Sequence, residues 1–180
     1  MNPILIIVII FLICFLAWYI VVLNNIKKAK LKVEEANSNI DVALTKRHDT
    51  LTKMLDVVKG YTKHEKDTLT EIVNIRNGMT IKEKNELINQ LNDNYEQIKV
   101  LVENYPDLKS NENYITLQNS ISEVEDSLQI ARKSYNDNAT NYNKLIIVFP
   151  NNIVAILSGN KKQDLFEADN NKKKDVKIDL

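Results

Sequence analysis

The chain changes character along its length. From Ile4 to Leu23 no side chain carries a charge, and nearly every position is Ile, Leu, Val or Phe. A helix of that length rises ~30 Å, the thickness of a bilayer's hydrocarbon core. Many of these residues are β-branched, but in lipid the backbone must satisfy its own hydrogen bonds, so helix prevails over strand. Trp18 and Tyr19 fall near the carboxyl end, at headgroup level. The pattern predicts a transmembrane helix over 4–23, after a short extracytoplasmic terminus at 1–3. A cleaved leader fits poorly. Met1, Asn2 and Pro3 carry no side-chain charge, and Ala17-Trp18-Tyr19 is a poor cleavage site. A lipoprotein would need a small residue where Ile13 precedes Cys14. A buried core helix would seldom be apolar on every face.

From 24 to 149 the spacing becomes amphipathic and helical, with Gly60, Gly78 and Pro106 the sole Gly and Pro. Ile26, Ala29, Val33, Ala36, Ile40 and Ala43 form one stripe. Leu51, Leu55, Val58, Leu69 and Ile72 form a second, after a phase break near 47–50 where Asp49 could cap a new helix. Ile88, Leu91, Tyr95, Ile98, Val102 and Tyr105 form a third. A fourth runs from Tyr114 through Tyr135, Asn138, Tyr142 and Leu145 to Phe149, a heptad seam with Asn138 as a polar insert. Asn77-Gly78-Met79-Thr80 reads as a helix stop and a new cap, with Glu83 three residues on. Pro106 and Pro150 end the third and fourth helices. The expected fold is all-α: a single N-terminal transmembrane helix followed by a cytosolic antiparallel four-helix bundle. If the break near 48 does not form, the first two helices become one rod. The first three helices would be about 36 to 42 Å long and the fourth ~58 Å, a mismatch. The apolar segment at 150–159 could cap the bundle or graze the membrane. Residues 160–180 read as a mobile polar tail in which Phe166 could dock.

Composition changes the picture only when split. The 24 basic and 24 acidic side chains cancel, which argues against a nucleic-acid partner. Residues 27–32 carry +4, from Lys27, Lys28, Lys30 and Lys32. Residues 33–149 carry 14 bases and 19 acids, so −5, and residues 150–180 carry 6 bases and 5 acids, so +1. The basic collar directly after the span predicts a single-pass protein of the cytoplasmic membrane, amino terminus out and the remainder in the cytoplasm. The collar would lie against anionic headgroups, either as specific recognition or as a plain topology signal.

Chemistry is sparse. One Cys excludes an intramolecular disulfide, and no Cys/His cluster, phosphate-cradling Gly loop or G-x-S-x-G occurs. No cofactor and no enzymatic activity are expected. The polar residues in phase with the stripes are more informative. Arg47 lines up with Ile40 and Ala43, Glu65 and Arg76 with Val58 and Leu69. Gln118, Glu125 and Arg132 recur every seven residues beside the fourth seam. Such groups either pair across the bundle or sit at a seam edge in water.

Taken in order, Asn39-Ile40-Asp41-Val42, Arg47-His48-Asp49, Val58-Lys59-Gly60-Tyr61 and His64-Glu65 resemble the LemA family. So do Glu103-Asn104-Tyr105-Pro106-Asp107-Leu108-Lys109, Asn111-Glu112-Asn113, Ala131-Arg132, Tyr135-Asn136-Asp137, Tyr142-Asn143, Phe149-Pro150 and Phe166-Glu167-Ala168. Asn37 stands where the family usually has Trp, and Thr52 where it usually has Pro, which weakens the break near 48. The resemblance implies a bacterial protein with one span and a cytosolic four-helix bundle, and no established activity or cofactor. Its recurring polar residues map onto Asn39, Asp41, Arg47, His64, Glu65, Arg76, Glu125 and Arg132, expected to serve structure or contact. The overall expectation is a membrane-anchored interaction or scaffold module that meets a membrane-associated protein. A signal-transducing receptor stub and, further off, a membrane-bound enzyme are the alternatives. An unbroken helix from Ile4 through Val42 would permit the receptor reading, and a flexible joint at Asn24-Asn25 would disfavour it.

Overall fold

A computed structural model describes residues 3–61, 72, 75–76 and 78–166. Among them the chain is all-helical: α1 (Pro3–Tyr61), α2 (Ile81–Glu103), α3 (Pro106–Lys109), α4 (Glu112–Ile147) and α5 (Asn151–Leu157). It divides into two compact units, Met1–Ser38 with Lys133–Leu165, and Asn39–Arg132 with Phe166–Leu180.

α1 is 59 residues long. Its amino-terminal stretch is long and apolar enough to cross a membrane, and none of that stretch is buried. No joint occurs at Asn24-Asn25. The break expected near 47–50 does not form either, so one rod replaces the first two expected helices. The physical reason is local. Thr52 keeps the N–H that a proline would remove. The hydroxyls of Thr45, Thr50 and Thr52 donate to the carbonyls four residues back, at 2.8, 2.8 and 2.9 Å, a geometry compatible with an intact helix. Ile72, Ile75 and Arg76 are not helical, so the second stripe's far end is not a helix among the described residues. Leu69 lies outside them. Three long helices, α1, α2 and α4, thus stand among the described residues, α1 taking in the expected transmembrane helix, the first bundle helix and the start of the second. The length mismatch also eases, because α4 has 36 residues and α1 retains a similar length after ~20 residues of span.

In the first unit, Val22, Ile26, Val33 and Ala36 of α1 are buried with Tyr135, Ala139, Tyr142 and Ile146 of α4 and Val154 and Ala155 of α5. The expected seam of α4 is buried at Tyr135 and again at Tyr142, but the positions expected at Asn138 and Leu145 move on by one residue. Ala139 and Ile146 are buried, while Asn138 and Leu145 are half-buried and Phe149 is 75% exposed. A straight helix drifts ~20° per heptad from a 3.5-residue seam, and a 4-4 step at Tyr135–Ala139 corrects the drift. The chain after α5 is tied back onto α4. Tyr135 Oη donates to the Asp164 carbonyl at 3.0 Å and Tyr142 Oη to Asn160 Oδ1 at 3.1 Å. The Asn143 amide exchanges two 2.8 Å bonds with the backbone of Gln163. Burial pushes both phenols above their ordinary pKa, with Asp164 adding to the effect at Tyr135, so both stay protonated donors. The start of the expected mobile tail, residues 160–166, is therefore held in place. Residues 167–180 lie outside the described residues.

In the second unit, α1 presents Ile40, Leu44, Leu51, Met54 and Val58, α2 presents Leu87, Ile88, Leu91, Ile98 and Val102, and α4 presents Tyr114, Ile121, Val124 and Leu128. Printed on these stripes is a register. Arg47 meets Glu125 and Tyr61 meets Asn111, so α4 runs antiparallel to α1. Asp41 meets Lys84 and Arg47 meets Asn92, so α2 runs in the direction of α1. Tyr61 and Thr80 therefore stand at opposite ends of this stretch of α1, about 30 Å apart, the rise of the helix from Asp41 to Tyr61. The helix starts follow the sequence signals. Thr80 and Glu83 form the expected reciprocal capping box of α2. Asn111 Oδ1 accepts from the N–H groups of Asn113 and Tyr114 at 3.0 and 3.2 Å, capping α4.

Thr52→Pro should lower stability by about 3 kcal/mol, the cost of a proline inside a helix. A neutral effect in a urea titration of the detergent-solubilised protein would mean that α1 is interrupted there. Thr80→Ala should cost about 1 kcal/mol in the same titration. The two Thr80 hydrogen bonds hold the Glu83 pKa below its ordinary value. The contribution of the box is then full above the ordinary carboxylate pKa and is lost as pH falls through the lowered one. Thr80→Ala should flatten that acid limb of the stability curve.

Candidate functional site

Arg47 lies on the buried stripe of α1, four residues before Leu51 and three after Leu44, so its side chain is carried inward by helix period alone. It is 1% exposed. One guanidinium nitrogen, Nη2, donates to Asn92 Oδ1 of α2 at 2.6 Å and to Glu125 Oε2 of α4 at 3.3 Å. Nε is buried with no protein partner. Burial lowers the Arg47 pKa, and the Glu125 carboxylate and Tyr95 act against that shift. The side chain of Glu125 is 38% exposed, so water reaches the carboxylate and weakens the pair relative to a fully dry one. The arrangement ties three helices through one cation. Losing one partner is costly, since it strands the other without compensation.

A second buried cation sits nearby in the chain's register. The side chain of Lys84 is 2% exposed and its ammonium pairs with Asp41, which is 50% exposed. Lys84 also ends the first turn of α2, so this pair fixes where α2 begins along α1. Arg132 stacks over the ring of Phe166, 5.4 Å from its centroid, and Phe166 is buried. That cation–π contact is the docking expected for Phe166.

The first unit holds a different arrangement. Lys28, Lys32, Asn25 and Ala29 of α1 line an open groove of about 230 Å³ with Asn138 and Asn141 of α4. Two ammonium groups and three amides supply donors suited to an anion with several oxygens, such as a phosphate group. Among the described residues no group of three or more His, Cys, Asp or Glu side chains is placed to hold a metal.

The expected polar residues are thus sorted. Arg47, Glu125 and Asp41 meet partners across helices, and Arg132 meets Phe166. Asn39 is exposed beside the buried Ile40, one residue out of phase. Arg76 is exposed and off any helix, so it does not join a core network. Gln118 is exposed as well. His64 and Glu65 lie outside the described residues. Near the span, Trp18 and Tyr19 are half-exposed and Lys27, Lys28, Lys30 and Lys32 are exposed. Lys84, Asn92 and Asn94 were absent from the expected set. Extending the Ile88 stripe back by four residues reaches Lys84, and forward from Leu91 by three reaches Asn94, so the signal was there. Asn92, four residues after Ile88 and three before Tyr95, carries the same signal, and its partner is Arg47.

A family model described as LemA family matches residues 36–180. "Protein LemA" of Metamycoplasma hominis is 28% identical over 148 residues, covering 79% of this chain and 65% of the relative. Two magnetosome proteins of Paramagnetospirillum magneticum, MamQ 1 and MamQ 2, are each 32% identical over 71 residues. That match covers 39% of this chain and 26% of each relative. The chain thus spans less than two thirds of the length of the curated relatives it matches.

Arg47→Ala should destabilise the protein by about 3 kcal/mol or more, because it removes a buried side chain and strands its partners. Glu125→Gln keeps a hydrogen-bond acceptor in a partly wet position and should cost about 1 kcal/mol. Equal losses from the two variants, measured by thermal unfolding followed by circular dichroism, would show that the pair acts as an isolated surface bridge.

Proposed function

With membership of the LemA family as premise, we propose that this chain is a membrane-anchored helical interaction protein. In this reading α1 crosses the cytoplasmic membrane, its amino terminus faces outward, and the packed helices work in the cytoplasm as a scaffold or adaptor. The observation that carries it is α1 itself. Its first turns are apolar and bare on all sides, and the helix continues without a joint through four lysines into packed core. Bare apolar surface of that extent needs a lipid or protein cover, and a lysine collar on one side orients the span. The helical part is read as an up-down-up-down bundle. α1 and α2 run in one direction and α4 in the other, as that topology requires. The partner is a membrane-associated protein, recognised through acidic side chains such as Glu123 and Asp126, both exposed on α4. Exchangeable surface charge of this kind governs encounter and specificity.

The unbroken α1 also supports a second reading, a receptor stub in which the span and the first packed turns move together. A flexible joint at Asn24-Asn25 would have spoken against it, and none is present.

Photo-crosslinking in cells tests the adaptor. A benzophenone amino acid at Ser122 or Ser127, beside the acidic face, should trap a discrete protein. That adduct should disappear when Glu123 and Asp126 are changed to Lys. Adducts to lipid alone would move the function to the membrane surface.

A further inference from the structure

We propose that the corner where α4 meets α5 is a second membrane contact, lying in the interface of the bilayer that α1 crosses. The proposal rests on the reading of α1 as a membrane span.

The corner is bare and apolar. Phe149, Ile156 and Leu157 are 75%, 76% and 72% exposed, and Ile147 and Val148 are more than half exposed. Clusters of this kind on a protein surface mark a binding face. The exposure does not come from a loosely held segment. Val154 and Ala155, on the inner side of α5, are buried, and the chain that follows is hydrogen-bonded to Tyr142 and Asn143. One side of the corner is fixed by packing while the other is left without cover.

Its level relative to the span follows from the groove of the first unit and from the antiparallel course of α4 along α1. The basic groove brings Asn138 and Asn141 of α4 beside the stretch from Asn25 to Lys32 of α1. α4 descends as α1 ascends. From Asn141 to Phe149 the chain drops by about 12 Å at helical rise. That places Phe149 beside the last turns of the span, where Trp18 and Tyr19 lie. Val22 and Ile26 are 6% and 1% exposed, so protein packing reaches into the final turn of the span. The apolar corner therefore stands at the edge of the hydrocarbon, and the Lys28–Lys32 groove stands one to two turns above it, at headgroup height.

Charge names the occupant. No acid occurs between Asp137 and Asp164, where Lys144, Lys161 and Lys162 lie, and none precedes Glu34, where the four collar lysines lie. This end of the unit is uniformly basic around an apolar tip, the pattern that suits a bilayer containing anionic lipid. A second copy of the chain would have to bring two such basic ends together, against their mutual repulsion. With the corner seated, the protein is held to the membrane at two points, the span and the α4–α5 corner.

Depth quenching in vesicles of phosphatidylcholine and phosphatidylglycerol tests this on the full chain. In a Cys14→Ser background, the environment-sensitive fluorophore NBD is attached to Ile156→Cys, Phe11→Cys or Asn119→Cys. Each labelled protein is first required to match the parent's thermal melt in detergent. The Ile156 probe should emit at shorter wavelength than in water and lose more intensity to a spin label high on the acyl chain than to one near its end. The Phe11 probe should show the opposite preference, and the Asn119 probe should respond to neither. A water-like, unquenched Ile156 probe beside a deeply quenched Phe11 probe overturns the second contact and leaves the span standing. If both probes are water-like, the span reading falls and the corner with it. A blue-shifted Ile156 probe that lipid spin labels do not quench means that protein covers the corner, which also overturns the proposal. Vesicles of phosphatidylcholine alone separate the two sources of binding. Retained quenching there assigns the contact to apolar insertion, and reduced quenching assigns a share to the lysines, both within the proposal.

Discussion

The backbone hydrogen-bond ladder of α1 runs unbroken from Pro3 to Tyr61, and the rest of the structure is arranged on it. A helix cannot bend sharply without a proline, a bulge or an inserted group, and α1 contains no proline after Pro3. The apolar stretch, the lysine collar and the buried stripe therefore belong to one helix. The side chain of Thr52 illustrates how slight the determinant is. A proline there would remove one donor and crowd the carbonyl of His48. Threonine instead satisfies that carbonyl a second time.

Given that rod, the other helices need a register, and buried cations provide it. Sliding apolar stripes past each other by one turn costs little, because one aliphatic contact resembles the next. Moving Arg47 away from Asn92 and Glu125, or Lys84 away from Asp41, leaves a charge in the core without compensation. The two pairs also settle direction. Their contacts advance together along α1 and α2, and the Tyr61–Asn111 bond, with Arg47–Glu125, adds the opposed course of α4. In the first unit the same role falls to neutral groups. Tyr135 and Asn143 fix the segment after α5 by bonds to its backbone, and Tyr142 by a bond to the Asn160 side chain, and they do so without placing a charge inside.

Much of this was legible beforehand, for identifiable reasons. The capping box at Thr80 and Glu83 and the stop at Pro150 depend on residues close in sequence, and both formed as expected. The seam of α4 held at Tyr135 and Tyr142 but lay a residue off at Asn138 and Leu145, because an ideal 3.5 repeat accumulates an angular error over 36 residues. The break at 47–50 was misplaced because a change of hydrophobic phase was taken for a change of helix. The inward-facing Arg47 supplies the missing beat of that stripe. A charged residue at a core position hides the periodicity that would have joined Ala43 to Leu51. Of the expected polar set, Arg47, Asp41 and Glu125 found partners across helices, whereas Asn39 and Arg76 are exposed.

By itself the sequence determined the quantities that short-range physics controls. These are helical class, the apolar amino-terminal stretch, the basic collar after it, the caps, and the candidate inward-facing charges. Each rests on residues within a few turns of one another. The tertiary structure decided which charges meet, because Asn92 and Glu125 come to Arg47 from helices 45 and 78 residues away. It also decided that α5 turns Val154 and Ala155 inward and leaves Ile156 and Leu157 bare. A run of five apolar residues has no periodicity long enough to say which side is covered. Only the position of α4 beneath it supplies that information.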